Sequence, residues 1–426
     1  MTPAPRGLLI AAPSSGAGKT TVTLALLRLL TREGVAVRGA KSGPDYIDPR
    51  FHEAATGRSC VNLDAWAMTP DRIAALAAGA GLLVIEGAMG LFDGAPPEGR
   101  GAAADLARIL GLPVVLVLDA GRMAQSVAPL AAGFARHDPT VRIGGLILNN
   151  VGSPRHEAML RRALAPLGLP VLAALPRAVT LALPSRHLGL VQAGERADLD
   201  AFLDTAADWI GARLDRAAFD ALAAPLPAAP EVRGLRPPAQ AIAIARDAAF
   251  AFAYPHMLAD WRARGAELRF FSPLADDPVP EADFVFLPGG YPELHAGRLA
   301  GNARFLSTLR QTAERSAVHG ECGGYMVLGR RLIDAEGQGH EMAGLLDLET
   351  SFQDRRLHLG YRDLTDLGGP FGGRLAGHEF HYASTLRAEG APLYEVTDAE
   401  GTALPPAGLR RGRVSGSFAH VIDRRN

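Results

Sequence analysis

Residues 12–21 read Ala-Pro-Ser-Ser-Gly-Ala-Gly-Lys-Thr-Thr. An apolar run, Gly7–Ala12, leads into them and a helical run, Val22–Leu30, leads out, so the segment joins a buried strand to a helix. Glycines at 16 and 18, flanking Ala17, let backbone N–H groups turn inward around phosphate oxygens. Lys19 sets a point charge beside the β- and γ-phosphates, Thr20 offers a hydroxyl to Mg²⁺, and Thr21 continues into a helix whose N-terminus is itself partly positive. The first glycine of the common phosphate-loop pattern is Pro13 here, and the strand-loop-helix context compensates for its loss. The plainer alternative, a glycine-rich helix cap with a solvated lysine, does not call for such a density of glycine, lysine and threonine. Nucleotide binding is the expectation.

Working outward, most of the first 210 residues alternate short apolar runs with Ala/Leu/Arg-rich helical stretches, the pattern of a parallel sheet. Buried strands are predicted at Gly7–Ala12, Leu82–Glu86, Pro113–Asp119 and Ile143–Asn149. Glu86 ends its strand at a glycine turn, where a carboxylate either completes a Mg²⁺ shell or caps the next helix. Lys41 and Asp45, in Lys41–Asp48, form a second strand-end loop suited to an anionic substrate, although a solvated turn has the same composition. Asn149 is placed to present its amide to adenine, or to serve as an ordinary turn residue.

The segment 225–240 carries five prolines, which neither helix nor strand tolerates, and marks a linker. The expected domains are therefore 1–224 and 241–426, the second restarting the βα pattern with Ala241–Ala245, a helical stretch Phe252–Arg264, Leu268–Ser272 and Phe284–Leu287. The whole chain of 426 residues has 48% hydrophobic and 21% charged residues, and 44 Lys+Arg balance 45 Asp+Glu. That composition excludes dominant disorder and a global field for nucleic acid, and no apolar run is long enough to span a membrane. With two cysteines and no leader-like segment, a reducing cytoplasm fits best.

In the second domain, Gly320-Glu321-Cys322-Gly323-Gly324 sets a thiol between small residues at a strand-to-helix turn, the frame of a nucleophile elbow. There the helix N-terminus is expected to lower the thiol pKa, and the Gly323 N–H to face a developing oxyanion. A second donor is expected from the loop Leu287–Pro292, at Gly290. His420 is the best-placed base, with other histidines competing by spacing. Cys60 reads as a buried small hydrophobe. His378 and His381 resemble a metal pair without a third ligand at a recognisable spacing, and no zinc site is assigned.

Seven ordered segments, APSSGAGKTT (12–21), KSGPDYIDP (41–49), IEGAMGLFDG (85–94), LPSRHLGL (183–190), LPGGYPE (287–293), GECGGYMVLG (320–329) and GHEFHY (377–382), together resemble the cobyrinate and hydrogenobyrinate a,c-diamide synthases of corrinoid biosynthesis. The resemblance covers essentially the whole chain. It implies a dethiobiotin-synthetase-like P-loop ATPase domain followed by a flavodoxin-like α/β domain of the class I glutamine amidotransferase type. It further implies ATP, glutamine and a polycarboxylate corrinoid as substrates, amidated at the a and c carboxylates through an acyl phosphate. Cys322 would form a glutamyl thioester activated by His420, Lys19, Thr20 and Glu86 would serve ATP and Mg²⁺, and Asp45 would belong to the synthetase site. General class I amidotransferases carry a carboxylate two residues after the histidine, where this chain has Ile422. Competing expectations are the same chemistry on another tetrapyrrole, such as nickel sirohydrochlorin or the precursor of cobyric acid, and a P-loop ATPase switch without amidation. A homodimer is the default assembly.

Overall fold

A computed structural model of the chain describes residues 4–182, 191–232 and 234–425, and the backbone of 185–186 and 189–190. It resolves two compact units, Met1–Val232 and Arg233–Asn426. Among the described residues no helix is long and apolar enough to cross a membrane.

The first unit is built on a sheet of β1 (Arg6–Ala11), β2 (Val37–Ser42), β3 (Val61–Leu63), β4 (Leu82–Glu86), β5 (Val114–Asp119), β6 (Ile143–Val151) and β7 (Val171–Pro176). The spatial order is β3-β2-β4-β1-β5-β6-β7, all parallel. Leu8 to Ala11 and Leu82 to Glu86 are buried throughout, as expected for strands covered on both faces. The helix Lys19–Arg32 lies along the helix Leu199–Gly211 and is tied to it by Arg28 and Asp204 at 2.8 Å. Two further pairs are short and local, β8 (Ser185–Arg186) with β9 (Gly189–Leu190), and β10 (Ala224–Pro225) antiparallel to β1. The remainder of the Leu183–Leu190 segment lies outside the described residues.

The second unit opens with β11 (Ala241–Ala245), β12 (Glu267–Phe271), β13 (Phe284–Leu287) and β14 (Ala317–Glu321). Its later strands are β15 (Arg331–Ile333), β16 (Gly339–Glu341), β17 (Asp347–Ser351), β18 (His358–Asp366), β19 (Arg374–His381), β20 (Ser384–Glu389), β21 (Tyr394–Asp398), β22 (Ala403–Ala407), β23 (Leu409–Arg411), β24 (Val414–Ser417) and β25 (Ala419–Arg424). The main sheet runs β12-β11-β13-β14-β24-β23 and is parallel through β24, the doubly wound order expected of a flavodoxin-like domain. Beyond residue 330 the βα alternation gives way to a five-stranded antiparallel sheet, β22-β21-β18-β19-β25, and a four-stranded mixed sheet, β16-β15-β17-β20, in which β15 and β17 are parallel. Lys19, Lys41, Glu86, Asn149 and Cys322 sit at the C-terminal ends of parallel strands or in the loops that follow, where such sheets hold ligands, while His420 comes from β25 of the antiparallel sheet.

Candidate active sites

In the first unit the turn between β1 and the helix Lys19–Arg32 holds Gly16 at φ +80° and Gly18 at φ +93°, conformations that L side chains rarely adopt. A Cβ on Gly18 would lie 2.2 Å from Asn149 Nδ2, so that position is closed to larger residues twice over. Asn149, expected to present its amide to adenine or to serve as a turn residue, donates Nδ2 to the Ala17 carbonyl at 3.0 Å and accepts from the Asn150 N–H at 2.9 Å. The structure thus makes it a brace of the phosphate loop. Lys19 Nζ donates to the Ser14 carbonyl at 3.0 Å, and burial, with Lys41 nearby, pulls it down to about 8. Phosphate oxygens would restore a full charge on this lysine.

Behind the loop lies a buried polar cluster. Parallel register sets Lys41 of β2 beside Glu86 of β4. Glu86 Oε1 accepts from Thr20 Oγ1 at 2.6 Å and from Lys41 Nζ at 2.8 Å, and Oε2 faces His52 Nε2 at 2.8 Å. Lys41 also meets Asp48 at 2.6 Å, so the residue expected to attract an anionic substrate is already compensated by two carboxylates. Burial opposes the charges on Glu86 and Lys41, yet their mutual attraction prevails. Glu86 is held well below the carboxylate range by Lys41 and His52, and Lys41 well above its usual value by Asp48 and Glu86. Burial and the Asp45 charge push Asp48 up to about 7, against the pull of Lys41. His52 overcomes its own burial through Cys60, 3.4 Å from Nδ1, and Glu86, and rises to about 10. Cys60 is buried as expected, but as part of this network. Asp45 Oδ1 accepts from the Ile47 and Asp48 N–H groups, which shapes the second strand-end loop.

Thr20 and Glu86 form an all-oxygen pair at the start of the helix, a donor set suited to a hard divalent cation. Thr20 spends its proton on Glu86 and keeps lone pairs for a metal, which places Glu86 behind the threonine rather than in open space.

In the second unit, Cys322 joins β14 to the helix Gly323–Leu328 at φ +48° and ψ −105°, a strained conformation for a residue with a side chain. Its N–H is fixed to the Ser417 carbonyl at 2.8 Å. The elbow closes only over glycine, since a Cβ on Gly324 would lie 1.9 Å from the Leu287 carbonyl oxygen. Burial pushes the thiol well up, with the Glu293 charge adding to it and a bond from the Gly323 N–H offsetting part. The thiol therefore rests neutral, contrary to the expectation from the helix N-terminus. A Cβ on Gly323 would lie 3.1 Å from the Gly290 nitrogen, so the two expected oxyanion donors are neighbours.

Gly289 locates the base. A Cβ there would meet His420 Cε1 at 2.3 Å, His420 Nε2 at 3.0 Å and Cys322 Cβ at 3.2 Å, so the imidazole and the thiol flank one point. His420, on β25, also has Glu321 Oε2 3.6 Å from its Nδ1, and both side chains are 1% exposed. The spacing of His378 and His381 places both on β19, with His378 in register with His420. His381 also converges with His358 and Glu379, but Glu379 is already engaged, ion-paired with Arg362 at 2.9 Å and hydrogen-bonded with His381 at 3.0 Å.

Residues 8–191 match the CobQ/CobB/MinD/ParA nucleotide binding domain, and residues 241–426 the CobB/CobQ-like glutamine amidotransferase domain. The chain is 57% identical to the hydrogenobyrinate a,c-diamide synthase of Brucella abortus biovar 1, over 98% of each chain. It is 56% identical to that of Rhodobacter capsulatus, over 99% of this chain and 100% of the other, and 54% identical to that of Rhizobium meliloti, over 98% and 99%. The chain belongs to the hydrogenobyrinate a,c-diamide synthase family.

Membership in that family joins the phosphate loop and the Cys322 elbow into one ATP- and glutamine-using protein. The geometry that supports the elbow is directly testable. Gly289→Ala is expected to lower glutamine-dependent turnover of this family member roughly 10²-fold, because the new methyl displaces the His420 ring from the thiol. Turnover with added ammonia should stay at the wild-type level. Steady-state rates with each nitrogen source check this, and equal rates for wild type and variant with glutamine would refute it. The sequence missed His52 and the part played by Glu321, because nothing in their local spacing reveals partners on other strands.

Proposed function

We propose that the chain amidates the a and c carboxylates of hydrogenobyrinic acid with ammonia taken from glutamine and energy taken from ATP. One observation carries the reading: a single chain holds both a phosphate loop backed by Thr20 and Glu86 and a thiol-imidazole pair set around Gly289. These are the two half-reactions of glutamine-dependent amide synthesis, and the near full-length likeness to the named synthases supplies the substrate.

In the second unit, His420 takes the proton of the neutral Cys322 thiol as sulfur attacks the glutamine amide carbon. The Gly323 and Gly290 N–H groups hold the oxyanion. The tetrahedral adduct expels ammonia with the proton from His420, leaving a glutamyl thioester that water converts to glutamate and free thiol. A carboxylate is too poor an electrophile to accept ammonia directly, so in the first unit the substrate carboxylate attacks the γ-phosphate of ATP, releasing ADP and forming an acyl phosphate. Ammonia then displaces inorganic phosphate. Lys19 and the loop N–H groups position the phosphates, Asn149 braces the loop, and Thr20 would hold Mg²⁺ with Glu86 behind it. Bound there, Mg²⁺ supplies positive charge against the phosphate oxygens. Lys41 and His52 keep Glu86 ionised and oriented, and Asp45 shapes the adjoining loop.

ADP release should depend on both glutamine and the corrinoid, with the product gaining two amides by mass. Hydrogenobyrinic acid should be the better substrate when compared with cobyrinic acid. ATP turnover that ignores both glutamine and corrinoid would overturn the reading in favour of a nucleotide switch.

A further inference from the structure

Glu321 is the last residue of β14 and directly precedes the nucleophile. Its two oxygens reach the strand of the base. Oε1 accepts the Val421 N–H at 3.0 Å, and Oε2 lies 3.6 Å from His420 Nδ1. The backbone next to His420 therefore fixes the carboxylate, and the carboxylate faces the Nδ1 side of the ring, while Nε2 lies on the Gly289 and Cys322 side. Two residues after the histidine, where general class I amidotransferases place their carboxylate, Ile422 is fully buried and its carbonyl is paired with His256 Nε2 at 2.9 Å.

We propose that Glu321 is the positioning residue of the amidotransferase site, a carboxylate donated from the nucleophile's own strand that orients His420 in place of one at position 422. A buried carboxylate on the Nδ1 side favours the tautomer that carries its proton there and leaves Nε2 unprotonated toward the thiol, and it stabilises the imidazolium that results. The other titratable groups around His420 do not duplicate this. His378, opposite on β19, is pushed down to about 3 by burial, with the His420 charge adding to the effect. His381 is also lowered by burial, and Cys322 is the group His420 deprotonates. Glu379, in register with Ala419 beside His420, is committed to Arg362 and His381, and Glu293 bears on the thiol, whereas Glu321 faces Nδ1 itself.

The inference rests on Cys322 and His420 forming the glutaminase pair. It is tested on the full chain with Glu321→Gln and Glu321→Asp, by kcat and KM for glutamine hydrolysis and by ammonia-dependent amidation. The pH profile of iodoacetamide alkylation is also followed, by mass, on the Cys322 peptide. Glu321→Gln keeps an acceptor for the Val421 N–H but loses the charge. Its kcat should fall roughly 10²-fold with little change in KM, and its alkylation profile should move to higher pH. Ammonia-dependent amidation should persist, and Glu321→Asp should recover part of kcat and of the profile. A Glu321→Gln variant with wild-type kcat and profile overturns the proposal. Equal losses in both variants with an unmoved profile also overturn it, since that marks a purely structural carboxylate. Should the wild type hydrolyse no glutamine, the reading of the pair fails, and the alkylation profiles still decide whether Glu321 acts on the thiol through His420.

Discussion

Cys322→Ala is expected to lower glutamine-dependent amidation roughly 10⁴-fold or more while leaving ammonia-dependent amidation intact. The size of the loss follows from the chain having one other thiol, Cys60, which is buried and held against His52. Folding should survive. Alanine fits the 1% exposed site with only the sulfur lost, and the glycine contacts that close the elbow do not involve the thiol. Product masses with glutamine and with ammonium chloride at alkaline pH separate the two activities. Wild-type rates with glutamine would remove Cys322 from the mechanism, and loss with both nitrogen sources would show that the variant has lost more than its nucleophile.

The residues legible in the sequence are those whose chemistry is local. The phosphate loop announces itself because strand, glycines, Lys19 and helix are contiguous, and Cys322 because its glycine frame is contiguous too. Glu86 was legible as a strand-end carboxylate for a different reason, since parallel sheets place their ligands at that end. What acts through register was not legible. Lys41, Glu86 and His52 meet because β2, β4 and the helix Asp48–Thr56 are brought side by side, and a sequence of strand lengths does not state which strands adjoin. Glu321 lies within the contiguous elbow, yet its contact with His420, 99 residues further along the chain, depends on how β14 and β25 are placed. The two sheets after residue 330 were hidden by composition. Strands such as His358–Asp366 are rich in polar and charged residues and only partly buried, so they lack the apolar runs that betray β1 or β4. At Asn149 the bond from Nδ2 to the Ala17 carbonyl is equally set by tertiary placement, since the phosphate loop and β6 are far apart in the chain.

Glu86→Gln is expected to destabilise the first unit by about 3–5 kcal/mol and to abolish amidation with either nitrogen source. Lys41 and His52 are 4% and 0% exposed, and without the carboxylate His52 loses its counter-charge while Lys41 keeps only Asp48. Removing one member of a buried pair strands the other charge in a medium that solvates it poorly. The amide can still accept from Thr20, so a loss of activity beyond the loss of stability reports the charge rather than the hydrogen bond. The pH dependence has a definite sign. Glu86 has its folded value depressed from 4.5, so its contribution is present above about that pH and fades as pH falls through the lower folded value. His52 rises from 6.5 to about 10, so its contribution is complete below about 6.5 and is lost as pH climbs toward 10. The Glu86 term rests on Lys41 and His52 and the His52 term on Cys60 and Glu86, so Glu86→Gln should remove the acid limb and weaken the alkaline one without abolishing it. Urea midpoints of the first unit's transition between pH 2 and 10, for wild type and variant, carry the test. A variant midpoint that tracks the wild type across that range would mean that the Lys41–Glu86–His52 cluster does not hold the site.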